Sequence, residues 1–325
     1  MAYAAVKFED YIQISLQLLR RFSSALKFDI YVRRTDSDYT KLFKKGDSID
    51  WERVALYEAK GIRYFFVTKD EYQIYSLFVE RLGEQLTQSK DILSLDESLV
   101  VLKELSQFTI HELVVNFKID DRLVNNANIV VEGCIKELGK DPKTLINVIK
   151  LLAHQPYILK HSMMVSMFSV ILAKESGIES DLNLKVIGMG GFLHDIGVSQ
   201  LTFDPEDEKF LTAEQRKEMW RHPELGSQLL DNLKGVRTEV IQIILQHHEQ
   251  PNGTGYPNGL RGPEIYHPAK IVAIADAFCA MISQRSFRDA LTIAQALVRL
   301  KELSGKFDKK LVDVFVKLMT PTPKA

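Results

Sequence analysis

The sequence predicts an α+β protein in which a small N-terminal α/β module is followed by an all-α domain. Three observations lead to this prediction. The chain has 325 residues, enough for about two domains with cores of their own. Strand-like runs occur only in the first 90 residues, and every periodic segment beyond residue 144 is helical. We expect three parts: the module in residues 1–90, a helical linker in 91–140 and the all-α domain in 141–325.

Two short strands and two helices are predicted in the first 90 residues. The segments Phe28–Arg34 and Arg63–Thr68 are rich in aromatic and β-branched residues, which favours strands. Helical spacing over Asp50–Lys60 ends at Gly61, a residue typical of helix C-termini, and Asp70–Leu82 has a second helical pattern. No residues in this module have the spacing of a catalytic motif. Domain order therefore predicts a regulatory or docking role, which would include binding of a protein partner.

The rest of the chain is predicted to be helical. The segment Asp91–Lys140 has one continuous helical pattern, which we interpret as one or two connecting helices. Pro142 is well placed to start the next helix, and the loop Pro251–Pro263, with four glycines and three prolines, is rich in turn residues. The helices predicted from residue 144 onward are Thr144–Ala153, Tyr157–Ser176, Asn183–Asp195, Thr212–Arg221, Pro223–Leu233, Arg237–Glu249, Ala269–Gln284, Asp289–Leu303 and Asp308–Leu318.

Composition excludes several classes of protein. The 42 Lys+Arg balance 43 Asp+Glu to a net charge of −1, which argues against binding of a nucleic acid polymer. Two distant cysteines, Cys134 and Cys279, exclude a disulfide framework and a thiolate zinc site. No apolar run reaches the roughly 20 residues of a membrane span, and the N-terminus lacks the apolar core of a signal peptide. A cytoplasmic protein is expected.

The histidines and two aspartates point to a metal site. Seven of the 8 histidines lie between residues 154 and 267. Taken singly, a histidine in a helix is usually a surface or hydrogen-bonded core residue. The pairs His194-Asp195 and His247-His248, however, each end an apolar helix, and Asp276 lies inside another. A buried ionised carboxylate needs a cation, a metal or several donors. Imidazoles and carboxylates without thiolates suit iron, manganese or zinc.

The order of these motifs resembles the HD-GYP subfamily of HD-domain phosphohydrolases. The resemblance covers residues 144–320 and is carried by HDIG (194–197), HPELG (222–226), HHEQPNGTGYPNGL (247–260) and IVAIADAFCAMISQRSFRDA (271–290). It implies that the all-α domain is an HD-type helical domain. It also implies a cyclic di-GMP phosphodiesterase that uses a dinuclear metal centre, with iron as the expected metal and manganese or zinc as alternatives.

The resemblance further implies a ligand set and a role for one aspartate. Asp195 would bridge two divalent ions and orient a metal-activated hydroxide, which makes it the predicted catalytic residue. Some members of the subfamily carry a glutamate four residues before the first histidine that supports a third metal; Tyr157 stands there, which favours two ions. The implied ligands are His161, His194, Asp195 and Asp276 for one ion, and His222, His247, His248 and the bridging Asp195 for the other.

Some basic residues match the substrate contacts of the subfamily, but departures from its pattern leave two further hypotheses open. Arg285 and Arg288 match a basic pair that contacts substrate phosphate, and Lys270 is a weaker candidate for the same role. The lysine that usually follows HDIG is replaced by Val198, and the usual aspartate of the GYP loop is Asn252. The alternatives are therefore a degenerate domain that keeps its metals but only binds a nucleotide or a partner, and a phosphohydrolase with another nucleotide substrate.

Overall fold

The described residues form two compact units. One lies within residues 6–108 and the other begins at residue 109, so the division falls inside the helix Leu95–Val114. The predicted boundaries at 90/91 and 140/141 fall beside or on residues outside the described ranges, as does Pro142, and the three-part division stays a prediction. The computed structural model describes residues 10–21, 25–35, 38–62, 64–88, 93–114, 120–140, 144–152, 157–206, 208, 210–231, 233–285, 288–303 and 305–320.

The N-terminal unit contains a four-stranded antiparallel sheet with the order β1-β4-β2-β3. Two of its strands, β1 and β2, alternate in burial; Ile30 and Val32 of β2 are buried while the residues between and after them are less so, as expected where one face of a strand lies on the core. The strands are β1 (Tyr11–Ile14), β2 (Ile30–Thr35), β3 (Asp38–Phe43) and β4 (Phe65–Thr68), and the helices are α1 (Leu16–Leu19), α2 (Trp51–Ala59), α3 (Lys69–Gln88) and α4 (Leu95–Val114).

Two of these four strands, β1 and β3, are absent from the sequence prediction. β1 is only four residues long, and β3 (DYTKLF) begins with polar and charged residues that have low strand propensity. Both gain their stability from pairing, β1 with β4 and β3 with β2. The predicted start of β4 at Arg63 lies outside the described residues.

The second unit is helical around one central, almost fully buried helix, α7. Nearly every side chain from Leu159 to Ala173 is buried, because α7 packs against α8, α12 and α14 on different sides. The helices are α5 (Asp121–Lys140), α6 (Thr144–Leu151), α7 (Tyr157–Glu175), α8 (Asp181–Leu193), α9 (Ala213–Met219), α10 (His222–Leu230), α11 (Thr238–Gln246), α12 (His267–Ile282), α13 (Ile293–Glu302) and α14 (Lys309–Met319), with a 3-10 helix at Ile196–Gln200.

The α+β fold class is confirmed, and the helix ends differ from the predicted ones where capping decides them. The pattern over residues 91–140 forms two helices, α4 and α5. The helix predicted from Asp289 begins only at Ile293, because Thr292 and Gln295 cap its first turn reciprocally. None of the helices within the described ranges has the length and hydropathy needed to cross a bilayer.

Candidate metal centre

The seven predicted ligands lie together in the helical unit, at the ends of several helices. His194 and His247 end α8 and α11, so each apolar helix delivers an imidazole at its buried C-terminus. His222 begins α10, and Asp276 lies in the middle of α12. The complete set is His161 on α7, His194, Asp195 just before the 3-10 helix, His222, His247, His248 and Asp276.

Two glycines allow the backbone segments that carry these residues to approach closely. A Cβ on Gly191 of α8 would lie 3.0 Å from Cα of Ser166 on α7, and a Cβ on Gly197 would lie 2.0 Å from the carbonyl oxygen of His222. At position 197 only glycine fits, and at position 191 a side chain would have to push α7 and α8 slightly apart. These two contacts hold α7, α8, the 3-10 helix and α10 at the separation on which the cluster depends.

The Asp195 carboxylate faces two different groups of imidazoles. Its Oδ1 lies 3.3 Å from Nε2 of His222 and 3.8 Å from Nε2 of His247. Its Oδ2 lies 3.2 Å from Nε2 of His194 and 3.8 Å from Nε2 of His161. One carboxylate oxygen is thus available to each group, which is the arrangement that a bridging ligand of two ions requires.

The second carboxylate completes one of the two groups. Oδ1 of Asp276 lies 3.0 Å from Nε2 of His161 and 3.8 Å from Nε2 of His194. Nitrogen and oxygen atoms from His222, His247, His248 and Asp195 lie within 4.8 Å of one another and form the other group.

Three imidazoles are oriented by backbone carbonyls. Nδ1 of His194, His222 and His247 donates to the carbonyl oxygen of the residue three positions earlier, at 2.8, 2.8 and 2.7 Å. Because a carbonyl can only accept, Nδ1 carries the hydrogen and Nε2 of the neutral ring presents its lone pair to the cluster. Nε2 of His222 and Nε2 of His247 lie 3.2 Å apart. Two lone pairs at that distance are compatible with a shared cation.

Buried nitrogens without hydrogen bonds test whether a metal fits this site. Nε2 of His161 and Nε2 of His194 are fully buried, face the carboxylates of the cluster and make no hydrogen bond within the described part of the chain. Buried polar atoms are nearly always paired, so such atoms call for a partner that the protein chain does not provide. With imidazole and carboxylate donors around them, a divalent ion fits these residues.

The electrostatics of the cluster favour positive charge between the imidazoles and carboxylates. Burial lowers the pKa of His194, but the Asp195 carboxylate beside it outweighs burial and raises this pKa to about 9. Burial raises the pKa of Asp195, but the surrounding imidazoles, His194 first, hold it well below its usual value. A cation, whether proton or metal, is therefore stabilised at Nε2 of His194.

The other group of imidazoles stays unprotonated at neutral pH. Burial lowers the pKa of His222 below its usual value. Burial and a neighbouring imidazole lower the pKa of His247 and His248 still further. Neutral imidazoles are the form that binds a metal, so this group is prepared for an ion without first losing protons.

Arg285, a predicted substrate contact, lies beside the cluster and is held by two neighbours. Its guanidinium lies over the Tyr157 ring, 4.2 Å from the centroid, and donates to the Tyr157 hydroxyl. It also pairs with Glu206 at 3.3 Å. The Tyr157 ring in turn stacks on His161, with ring centroids 5.0 Å apart. The carboxylates Asp195 and Asp276 add to the pull that raises the pKa of Arg285 against its burial.

The two other predicted substrate contacts have different surroundings. Arg288 donates to the Ala280 carbonyl oxygen at 2.6 Å, at the end of α12. Lys270 lies six residues before Asp276 on α12, almost two turns away and at a different angle around the helix. The structure therefore brings Arg285, but not Lys270, to the side of the cluster.

Three further residues near the site were not found from the sequence. Glu206 pairs with Arg285 from a loop with no periodic pattern. Glu249 is buried and accepts hydrogen bonds from two backbone N–H groups of the GYP loop, at 2.6 and 2.8 Å. Trp220 stacks on Tyr256 next to the cluster. The one usable signal was the position of Trp220, a large aromatic residue two places before His222.

A helical domain that gathers five histidines and two aspartates around a shared carboxylate has the architecture of an HD domain. The HD domain family matches residues 145–311, half of the chain. The chain belongs to the HD-domain family, as the motifs predicted.

Individual relatives agree with this assignment over part of their length. The chain is 30% identical to the cyclic di-GMP phosphodiesterase PA4108 of Pseudomonas aeruginosa over 59% of this chain and 46% of that protein. It is 35% identical to the cyclic di-GMP phosphodiesterase response regulator RpfG of Xanthomonas campestris pv. campestris, over 45% of this chain and 39% of that protein. The match thus spans less than half the length of these two relatives.

A solved structure agrees in fold over nearly the whole chain. Bd1817, an HDG"Y"P protein from Bdellovibrio bacteriovorus, superposes with a TM-score of 0.67 at 23% identity, covering 95% of this chain and 99% of that one. At this identity the likeness shows a shared fold.

Proposed function

We propose that the chain is a metal-dependent phosphodiesterase that hydrolyses cyclic di-GMP at a dinuclear centre, with Asp195 as the catalytic residue. The two Asp195 oxygens carry the proposal, since each faces a different group of imidazoles, at 3.3 and 3.2 Å for the shortest contacts. Two bound divalent ions would clamp a phosphodiester and lower the pKa of a water to supply hydroxide at neutral pH.

The residues of the chain would bind, orient and shield the reactants. Asp195 keeps its charge because its pKa is held low, so it can orient a water between the two groups of ligands. The proposed ligands of one group are His161, His194, Asp195 and Asp276, and those of the other are His222, His247, His248 and Asp195. Iron is the metal that we propose, and manganese and zinc suit the same donors.

Arg285 is the proposed contact to substrate phosphate. Its guanidinium is planar, lies over Tyr157 beside the cluster and pairs with Glu206, so substrate phosphate would replace that carboxylate as its partner. Arg288 and Lys270 are proposed as weaker contacts, because Arg285 is placed against Tyr157, which stacks on His161, whereas Arg288 is bound to a carbonyl at the end of α12 and Lys270 stands almost two turns from Asp276. The names of the relatives support a cyclic dinucleotide as the substrate class.

One observation favours the alternative, a domain that keeps its metals and binds a nucleotide without turning it over. Val198, at the position where the subfamily usually has lysine, is 3% exposed and packs in an apolar cluster with Leu201 and Phe203. No cation can occupy that position, so one contact to phosphate or hydroxide is missing. Loss of one such contact costs on the order of 100-fold in rate.

Metal content and turnover test the proposal together. We expect anaerobically purified protein to carry two equivalents of metal, and Asp195→Ala to lose metal and activity, because a shared ligand serves both ions. Asp313→Ala, which changes an exposed carboxylate on α14, is the control and should keep both. Conversion of cyclic di-GMP to the linear product or GMP supports the enzyme. Tight binding of labelled cyclic di-GMP without turnover selects the alternative, and turnover of a different cyclic dinucleotide alone corrects the substrate.

The N-terminal unit is proposed as a regulatory or docking domain. The buried Tyr75 hydroxyl in this unit donates to Glu104 and accepts from the Ser15 N–H, and the candidate metal clusters of the described residues lie in the helical unit instead. Removing residues 1–108 and finding unchanged activity, oligomeric state and partner binding would contradict that role.

A further inference from the structure

A series of ring contacts leads from the metal centre to the protein surface. The rings of His248 and Tyr256 lie 4.7 Å apart at 31°, and those of Tyr256 and Trp220 lie 5.7 Å apart at 26°. His248 is a predicted ligand, Tyr256 belongs to the loop after α11, and Trp220 ends α9. The outermost ring is therefore connected to the cluster through a single aromatic layer.

Trp220 is open to solvent although it is a large apolar ring. It is 49% exposed, as expected for an indole that has one face against Tyr256 and the other face free. A tryptophan ring offers a large flat apolar surface with a polar N–H, which is why tryptophan is frequent at binding surfaces. The free face of Trp220 is thus available to a flat apolar ligand.

The backbone fixes Trp220 relative to the cluster. The carbonyl of Met219, the residue before it, accepts the Nδ1 hydrogen of His222 at 2.8 Å, and the Trp220 N–H donates to the Arg216 carbonyl at 3.0 Å. Any movement of His222 at the metal centre would move this peptide as well. The backbone that carries Trp220 is therefore tied to a proposed ligand, and the stack on Tyr256 orients its ring.

We propose that the free face of Trp220 is the stacking platform for a purine base of the nucleotide whose phosphate lies at the histidine–aspartate cluster. The inference rests on the proposed function, because it takes the phosphate position from it. Stacking of a base on an aromatic side chain contributes about 1–3 kcal/mol, and every base has a flat face to offer. Trp220 would then select nucleotides with a base over other phosphate esters.

A simpler role for Trp220, that of packing against the loop, leads to a different expectation. If Trp220 only supports Tyr256, its removal would weaken all ligands of the centre alike. If it is a platform, its removal would weaken only ligands that carry a base. Two ligands that differ in the base alone separate these roles: GMP and ribose 5-phosphate.

The chain is well suited to a direct measurement, because it has only two tryptophans, Trp51 and Trp220. In metal-loaded Trp51→Phe protein, Trp220 is the one tryptophan emitter. We expect GMP to quench its emission in a saturable way and ribose 5-phosphate to leave it unchanged. Trp220→Ala should weaken GMP binding about 5- to 150-fold by calorimetry, which corresponds to the stacking energy, and leave ribose 5-phosphate unchanged.

Control variants keep the test interpretable. Trp220→Phe retains a stacking face and should keep most of the GMP affinity, and Tyr64→Ala, an equally exposed aromatic residue of the N-terminal unit, should have no effect. Equal GMP affinity in the wild type and Trp220→Ala would overturn the platform, as would an absence of GMP binding to the wild type. Base-dependent binding without hydrolysis of cyclic di-GMP would uphold the platform and contradict the proposed function instead.

Discussion

Replacing Gly197 by alanine should separate the 3-10 helix from α10 and damage the metal centre. An added Cβ would lie 2.0 Å from the carbonyl oxygen of His222, 2.5 Å from the Gly226 nitrogen and 3.0 Å from the Gly226 Cα. Ordinary contacts of this type need about 3.4 Å, so the two segments must move apart by more than about 1 Å. All three obstacles are backbone atoms, and no side-chain rotation can relieve them.

The displacement acts directly on the shared ligand. Asp195 lies two residues before Gly197, and its Oδ1 is 3.3 Å from Nε2 of His222, the residue whose carbonyl is displaced. Metal–ligand distances tolerate only about 0.2 Å, so one ion should be lost or strongly weakened. A misplacement of about 1 Å at a reactive centre costs on the order of 100-fold in rate. Overpacking should also lower the free energy of unfolding by about 1–3 kcal/mol, and the Tm by about 2–10 °C.

Gly139→Ala is a matched control for this substitution. Gly139 lies in α5 of the same unit, and a Cβ there would meet only the Lys174 Nζ, at 3.7 Å. Alanine in a helix is more stabilising than glycine by roughly 0.5–1 kcal/mol, so this variant should be as stable as the wild type or more so. Metal per chain by elemental analysis and Tm by calorimetry are the measurements. Gly197→Ala protein with two metals and a Tm within about 1 °C of the wild type would refute the steric reasoning.

Three further predictions concern residues around the centre. Glu249→Gln should lower the free energy of unfolding by about 1.5–3 kcal/mol and speed hydrogen exchange in the GYP loop, because a charged acceptor of two loop N–H groups is lost. Unchanged hydrogen exchange in this variant would contradict the prediction. Glu206→Gln should lower KM for a cyclic dinucleotide a few-fold without changing kcat, since the Glu206 carboxylate competes with phosphate for Arg285. A higher KM would show that Glu206 positions Arg285 instead. Burial raises the pKa of Cys134 to about 12 and that of Cys279 well above its usual value. Neither thiol should therefore react with iodoacetamide at pH 8 until urea unfolds the chain. Rapid labelling of the native protein would contradict this.

Much of the fold follows from the sequence because its long elements have strong apolar periodicity. α7 and α12 read as apolar helices from the sequence alone, and both are buried. β1 and β3 could not be predicted in this way. Their stability comes from pairing, of β1 with β4, which lies more than 50 residues later (Ile14 pairs with Phe65), and of β3 with β2. A four-residue strand such as β1 also carries too little local signal.

The candidate site also contains some residues that the sequence predicts and others that it does not. His194 and His247 could be singled out because a polar residue at the buried end of an apolar helix requires a partner, and both lie in the cluster. The pairing of Glu206 with Arg285 is a contact between distant segments that no local pattern records. The same holds for the stack of Trp220 on Tyr256. Local chemistry therefore predicts candidate ligands, whereas their neighbours depend on the tertiary fold.

The charge of the proposed metal-loaded site would allow a neutral protein to bind an anionic nucleotide. Asp195 and Asp276 bring two negative charges to the cluster, and two divalent ions would bring four positive ones, so the loaded centre is cationic although the chain has a net charge of −1. Val198 supplies no cation, and Glu206 offsets the charge of Arg285. The affinity for phosphate must then come mainly from the ions. Removal of metal should accordingly reduce nucleotide binding more than removal of any single basic side chain, because the same two carboxylates that bind the ions would repel phosphate once the ions are gone.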